Sequence, residues 1–292
     1  MRRAICFGIN EYPDPSHNLN GCVNDANGWS NLFTKLEFDH VDVYLNEDVT
    51  RRSFVDNCVS LLTVSKPGDL LVITYSGHGT QVYDYSGDEE DGYDEALFLY
   101  DGALIDDKLR ALINTYAPIG FDIVFILDSC FSGTATRKIG KASINLSNPR
   151  FIPAKIMTST ATRNKAFLEG SMTELLMSGS SDKQYSYDAN FNGEYYGAFT
   201  YAALRAFEKG DSYQEWHQNI LDTIEHPQTP QLEGSTEFKN KLALGVSIDD
   251  AIDDLWDDDN FVQPVSNKFN IKKYWWVALI ILAIIIVFYY IR

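Results

Sequence analysis

Positive charge is scarce in this chain. Its 292 residues carry 24 Lys and Arg against 41 Asp and Glu, a net charge of −17. That balance argues against nucleic acid as a partner, because phosphate backbones are bound by basic surfaces. Cysteine is sparse as well: there are four, Cys6, Cys22, Cys58 and Cys130, with no Cys-x-x-Cys and no paired spacing. A disulfide framework and a thiolate-type metal site are therefore excluded, and the pattern is that of reduced thiols. Cys6 and Cys58 lie in apolar settings and read as core. No internal repeat is present. The apolar stretch Ala4 to Ile9 is too short for a signal peptide, and Arg2-Arg3 leads straight into an expected strand.

What the chain does have is concentrated in two strings. Tyr75-Ser76-Gly77-His78-Gly79 follows the apolar run Leu70 to Thr74, and Asp128-Ser129-Cys130-Phe131-Ser132-Gly133 follows Ile123 to Leu127. Runs of this kind, rich in Val, Ile, Leu and Phe, are the pattern of strands buried on both faces of a parallel sheet. As neighbours in one sheet, the two strands deliver His78 and Cys130 to its carboxyl edge, where open α/β sheets place their ligand crevices. A thiol beside an imidazole is the minimal equipment of a cysteine protease: the imidazole takes the thiol proton and the thiolate attacks a carbonyl. Taken singly, a Cys after an apolar strand is ordinarily a small buried residue. Here Gly77, Gly79 and Gly133 clear side chains from around both groups, which suits close approach of a substrate backbone. Asp128 lies two residues before Cys130, so the two side chains point to one side of the strand.

Further along, Arg3–Gly8, Val41–Leu45 and Phe121–Leu127 read as strands. Asn20–Lys35, Arg51–Leu62, Asp107–Tyr116, Phe199–Lys209 and Tyr213–Ile224 read as helices. A hairpin is expected around Asp101-Gly102. Lys155–Ser159 and Glu174–Ser178 are strand candidates, whereas Thr134–Pro153, rich in Ser, Asn, Lys and Arg, reads as an exposed loop. Alternating strands and helices imply an α/β fold, a mostly parallel sheet with helices on both faces. Ser247 to Asn260 is strongly acidic and reads as a solvated spacer. Tyr274 to Ile291 holds 18 residues without a charge, bracketed by Trp275-Trp276 and Tyr289-Tyr290. As a helix this spans roughly 27 Å, close to the hydrocarbon thickness of a bilayer. It reads as a single-pass C-terminal transmembrane helix in contact with membrane lipid. Lys268, Lys272 and Lys273 on its amino side turn the rest of the chain toward the cytoplasm.

The chain resembles the metacaspases, within the caspase-like cysteine proteases. The resemblance runs from about residue 4 to about residue 235. It rests on Gly8-Ile9-Asn10, Gly21-Cys22-Val23-Asn24-Asp25, Tyr75 to Gln81, Gly87 to Glu95, Ile105 to Leu109, the Cys130 string, Ser178 to Gln184, Gly197 to Thr200 and Gln228 to Leu232, all in family order. It implies a caspase-like three-layer sandwich for a peptidase domain at residues 1–246; charge and hydropathy place the acidic juxtamembrane spacer at 247–273 and the membrane helix at 274–291. It also implies His78 and Cys130 as the catalytic pair; the backbone N–H groups of Gly79 and Cys130, which flank the reactive groups, are the natural oxyanion donors. Asp25 and Asp128 are implied as the floor of the S1 pocket, and Asp182 is a further candidate. Cys22 is implied as a second thiol near the substrate that is not a nucleophile. Two carboxylates favour a guanidinium or ammonium and repel an Asp side chain, so the expected substrates are peptides and proteins cut after Arg or Lys. The alternatives are an Asp-specific caspase-like protease and a catalytically idle membrane scaffold.

The acidic loop around Asp88 to Glu95 supplies hard oxygen ligands that suit Ca²⁺. The resemblance implies a calcium site built from loop carboxylates such as Asp91 and Asp94, the pair Asp106 and Asp107, and an Asp seven residues after the nucleophile. That last position is Arg137. A cation there removes a ligand and adds repulsion, so no cofactor is expected to be required and calcium stimulation is expected to be weak or absent.

Overall fold

The computed structural model describes residues 1–83, 93–117, 120–130, 146–153, 174–181 and 184–250, without the side chains of 107 and 146–148. All of these belong to one compact unit, Met1–Val262; a second unit, Gln263–Arg292, lies outside the described residues. In chain order the described elements are β1 (Arg2–Gly8), α1 (Cys22–Lys35), β2 (His40–Leu45), α2 (Arg51–Val64), β3 (Leu70–Ser76), β4 (His78–Tyr83), β5 (Tyr93–Leu99), β6 (Gly102–Ile105), α3 (Asp106–Tyr116) and β7 (Asp122–Asp128). They continue with β8 (Leu146–Pro149), β9 (Phe151–Ile152), β10 (Leu175–Ser178), β11 (Tyr187–Phe191), β12 (Glu194–Gly197), α4 (Ala198–Arg205), α5 (Tyr213–Thr223), β13 (Gln231–Glu233) and α6 (Thr236–Lys239).

Six strands form the main sheet in the order β13-β10-β7-β3-β1-β2, parallel throughout except for the antiparallel edge strand β13. Strand alternation sorts its side chains onto two faces. Ala4, Cys6, Val72, Val124 and Ile126 pack with Trp29, Phe33, Phe199 and Trp216 from α1, α4 and α5. Ile5, Phe7, Leu71, Ile73, Ile123 and Phe125 pack with Phe54, Cys58 and Leu62 of α2 and Ile113 of α3. Both faces are covered, which is why these strands read as continuous apolar runs and why the unit has three layers. Cys6 and Cys58 are core residues, as their surroundings in the sequence indicate.

The expected strands and helices from residue 1 to residue 128 all form, with ends shifted by one or two residues. Two small sheets carry the differences: β6-β5-β4-β9 and β12-β11-β8. Residues 146–153, part of the expected exposed loop, contain two strands, and Arg150 between them is 0 % exposed. Their partners, β11 and β4, are remote in sequence, so local composition carries no trace of the pairing. The strand candidate Lys155–Ser159, the acidic loop up to Gly92, most of the spacer and the run 274–291 lie outside the described residues. Among the described residues no helix is long and apolar enough to cross a membrane.

Candidate active site

β3 and β7 are parallel neighbours with Ser76 opposite Asp128. Each strand therefore ends at the same level, and His78 and Cys130, two residues further on, emerge side by side at the carboxyl edge. The backbones touch there so closely that a Cβ on Gly79 would collide with the Cys130 carbonyl. His78 opens β4 and is buried. Its own N–H donates to the Tyr12 hydroxyl at 3.0 Å, and the Tyr12 ring lies 5.1 Å from the imidazole. Nε2 sits 2.7 Å from the His17 carbonyl oxygen. A carbonyl only accepts, so Nε2 carries the proton and Nδ1 holds the lone pair. Nδ1 is buried without a hydrogen-bond partner, which leaves a basic nitrogen free at the edge of the site.

Cys130 is also fully buried. Its Sγ accepts from the Ser186 N–H at 2.6 Å and lies 3.2 Å from the Ser186 carbonyl oxygen. The backbone N–H groups of Gly79 and Cys130 converge on one acceptor, the carbonyl oxygen of Arg150, at 2.9 and 3.2 Å. Two N–H donors aimed at one carbonyl beside a thiol is the geometry that stabilises an oxyanion.

The Arg150 side chain fills an acidic pocket. Nη2 lies 2.7 Å from Asp25 and 2.7 Å from Asp188, Nε donates to Asp188 at 3.1 Å, and Nη1 lies 3.2 Å from the Asp128 carboxylate and 3.1 Å from its backbone oxygen. The remaining carboxylate oxygen positions are held from the protein side. Asp25 accepts from the Gly197 N–H, and Asp128 accepts from the Thr200 N–H and hydroxyl and from the Ser186 hydroxyl. Asp188 accepts from the N–H groups of Asn20 and Gly21. Asn10 caps the start of α1 by accepting from the Cys22 and Val23 N–H groups, and this fixes the helix turn that carries Asp25. Gly197 has to be glycine: a Cβ there would collide with the Asp128 carboxylate and approach the Arg150 guanidinium at 2.5 Å.

Burial governs the protonation states. It pushes the Cys130 thiol up to about 12, against the opposing pull of the Ser186 N–H. It also takes His78 down to about 4, so at neutral pH the closed site holds a thiol and a neutral imidazole. Burial works against the charge of Arg150, but Asp128, Cys22, Asp25 and Asp188 outweigh it, and the guanidinium is held well above its usual value. Asp25 is pushed up to about 7 by burial, with Arg150 pulling the other way. Burial likewise raises the Cys22 thiol well above its ordinary value.

Of the residues singled out from sequence, His78, Gly79, Cys130, Asp25 and Asp128 come together here. Asp182, Asp91 and Gly133 lie outside the described residues, as does the side chain of Asp107. Asp94 is buried in β5, and Asp106 begins α3. Among the described residues no group of His, Cys, Asp and Glu is arranged to hold a metal ion; the three converging aspartates hold a guanidinium. Asp188, Ser186 and the His17 carbonyl were not anticipated. Ser186 and Asp188 alternate with Tyr185, Tyr187 and Ala189, a period-two pattern that places both polar groups on one face. A backbone carbonyl such as that of His17 leaves no signature in a sequence.

Sheet order, the two covered faces and a His and a Cys at the carboxyl edge define a caspase-like fold. The comparisons agree. The family model described as "Caspase domain" matches residues 1–241, and the chain belongs to that family; its enzyme class is cysteine-type endopeptidase. Metacaspase-1 of Kluyveromyces lactis is 28 % identical over 82 % of this chain and 67 % of its own length. Metacaspase-1 of Schizosaccharomyces pombe is 28 % identical over 83 % of this chain and 69 % of its own. Among solved structures, a protein of Geobacter sulfurreducens aligns with a TM-score of 0.64 at 28 % identity, covering 84 % of this chain and 99 % of that one. Caspase-1 of Spodoptera frugiperda aligns at 0.55 and 13 % identity, over 85 % and 91 % of the two chains, which speaks for the fold alone.

Proposed function

We propose that this metacaspase-like protease hydrolyses peptide bonds after Arg, and more weakly after Lys, with Cys130 as nucleophile and His78 as the base that takes its proton. The observation that carries this reading is Arg150: a guanidinium among three aspartates whose own carbonyl receives the Gly79 and Cys130 N–H groups. In the forward reaction the thiolate adds to the carbonyl carbon and the two N–H groups take the developing negative charge. The imidazolium protonates the leaving amine, and the imidazole then activates water against the thioester. Asp25 and Asp128 read the P1 cation, joined by Asp188, while Asp182 retains its assignment from sequence. An Asp at P1 would meet three carboxylates and no cation, which counts against the Asp-specific alternative. An idle scaffold has no need of two backbone donors on one carbonyl. The test is turnover of fluorogenic peptides ending in Arg, Lys or Asp by the full chain, with and without Ca²⁺. Preferential release after Asp, or no release at all, would reject the proposal; strong calcium activation would reject its calcium-independent form.

We also propose that residues 274–291 tether the protein to a membrane with the catalytic domain on the cytoplasmic side. The support is the uncharged length and its aromatic ends. Flotation of the full chain with phospholipid vesicles, lost on the double substitution Ile281→Asp and Ile285→Asp, is expected; equal flotation of both forms would refute a membrane-embedded run.

A further inference from the structure

Arg150 occupies the site as a P1 residue would, and the chain runs on from it along a defined track. Its carbonyl oxygen receives the Gly79 and Cys130 N–H groups. Beyond that carbonyl, β9 runs parallel to β4, with Phe151 opposite Gly79 and Ile152 opposite Thr80. The Thr80 hydroxyl donates to the Ile152 carbonyl at 2.7 Å, so the second residue past the N–H pair is held by its backbone. Side chains alternate along a strand, and those of Phe151 and Ile152 part to opposite sides. Phe151 is half-buried, its ring 6.2 Å from that of Tyr185. Ile152 is buried and borders a cavity of about 130 Å³, lined also by Thr80, Val82, Phe98, Ala103 and Pro153. Phe98 pairs with His78 across β4 and β5, which sets this cavity beside the imidazole. Its lining is almost wholly apolar, and apolar space of this kind rewards the burial of carbon. Ile152 does not fill it.

We propose that this enzyme reads P2′, the second residue on the leaving side of the scissile bond, and that β4 and its cavity select a large apolar side chain there. The inference rests on the reading that Cys130 and His78 hydrolyse bonds after Arg, and extends it across the bond. Residues 150, 151 and 152 mark the positions of P1, P1′ and P2′. A substrate laid along β4 gains main-chain bonds for affinity, and alternate side chains enter separate pockets for specificity. The Thr80 hydroxyl takes the P2′ carbonyl. A Leu or Phe at P2′ makes the contacts of Ile152 and fills the space beyond it. An Ala leaves that space vacant, and an Asp or Lys gives up its hydration to walls that offer no opposite charge. P1′ meets the half-open Tyr185 wall and is the less selective of the two positions.

The test is kcat/KM of the full chain, with and without Ca²⁺, on internally quenched peptides. All carry Arg at P1 and Ala at P1′, with Leu, Phe, Ala, Asp or Lys at P2′. Leu and Phe should exceed Ala by about tenfold or more, and exceed Asp and Lys further. Ala103→Leu puts carbon into the cavity and should lower the Phe-to-Ala ratio about fivefold. Thr80→Val removes the hydroxyl. Turnover of the Leu peptide relative to an Arg–coumarin substrate, which has no P2′ residue, should then fall about threefold or more; a merely structural loss would lower both substrates together. Should either variant fail to fold, the P2′ series on the unmodified chain decides. A spread below about threefold across that series, or a preference for Ala, Asp or Lys, would overturn the inference and leave the Arg reading standing. So would an unmoved Phe-to-Ala ratio in folded Ala103→Leu. Turnover of no Arg peptide at all would overturn the Arg reading and this inference with it.

Discussion

Asp188 is the sharpest place to test the proposed substrate pocket, because its two oxygens do different jobs. Oδ1 takes two bonds from the guanidinium, from Nε at 3.1 Å and Nη2 at 2.7 Å. Oδ2 takes the Asn20 and Gly21 N–H groups just before α1. A hydrogen bond to a charged group contributes roughly 1.5–3 kcal/mol. Asp188→Ala removes two such bonds from an Arg substrate, but Asp25 and Asp128 still hold the cation, and part of the loss is recovered by water. A net loss of about 3 kcal/mol, which corresponds to roughly a hundredfold in kcat/KM, is the expectation for Arg. A Lys ammonium has no counterpart of Nε, so it forfeits about one bond and falls roughly tenfold by the same conversion. The variant should thus narrow the preference for Arg over Lys as well as slow both. Paired kcat/KM measurements on Arg and Lys peptides that differ only at P1 would show this. Thermal unfolding should be run alongside, since the lost Oδ2 contacts also loosen the entry to α1. Equal losses for Arg and Lys, or a change below about threefold for Arg, would mean that the guanidinium of a substrate does not sit where Arg150 sits.

Other consequences are as direct. Cys130→Ala and His78→Ala should each abolish cleavage of peptides while leaving circular dichroism unchanged; near wild-type turnover by Cys130→Ala would require another nucleophile. Gly197→Ala should cost at least tenfold in kcat/KM for Arg peptides, because the added Cβ meets the Asp128 carboxylate and the site of the guanidinium; an unchanged value would place substrate elsewhere. Turnover of Arg peptides should fall as pH drops through about 7, where Asp25 gains a proton and its pairing with a guanidinium is lost; a flat profile from about pH 5 to 8 would refute that pairing. Activity requires the state with one proton shared by Cys130 and His78, and that state spans the interval between about 4, where His78 gains a proton, and about 12, where Cys130 loses one.

Much of this protein is legible in one dimension. Leu70–Ser76 and Asp122–Asp128 announce themselves as buried parallel strands because both faces of each must be apolar, and a His and a Cys placed just past two such strands can only emerge at one edge. Asp25 and Asp128 follow from the same logic, one from a loop after the first strand and one from strand alternation. What composition misjudged was 146–153. As part of Thr134–Pro153, with its polar residues and four bases, it reads as solvent-exposed, yet Arg150 is buried because three aspartates from α1, β7 and β11, separated by up to 163 residues, converge around it. A charge can leave water only where opposite charges and donors are already arranged, and that arrangement is made by packing remote segments together. The sequence by itself determined the sheet edge at which His78 and Cys130 meet, through hydrophobic periodicity and the residues that end each strand. Only the tertiary structure decided which of the chain's own residues occupies that edge, because occupancy depends on distances between segments that no local pattern encodes.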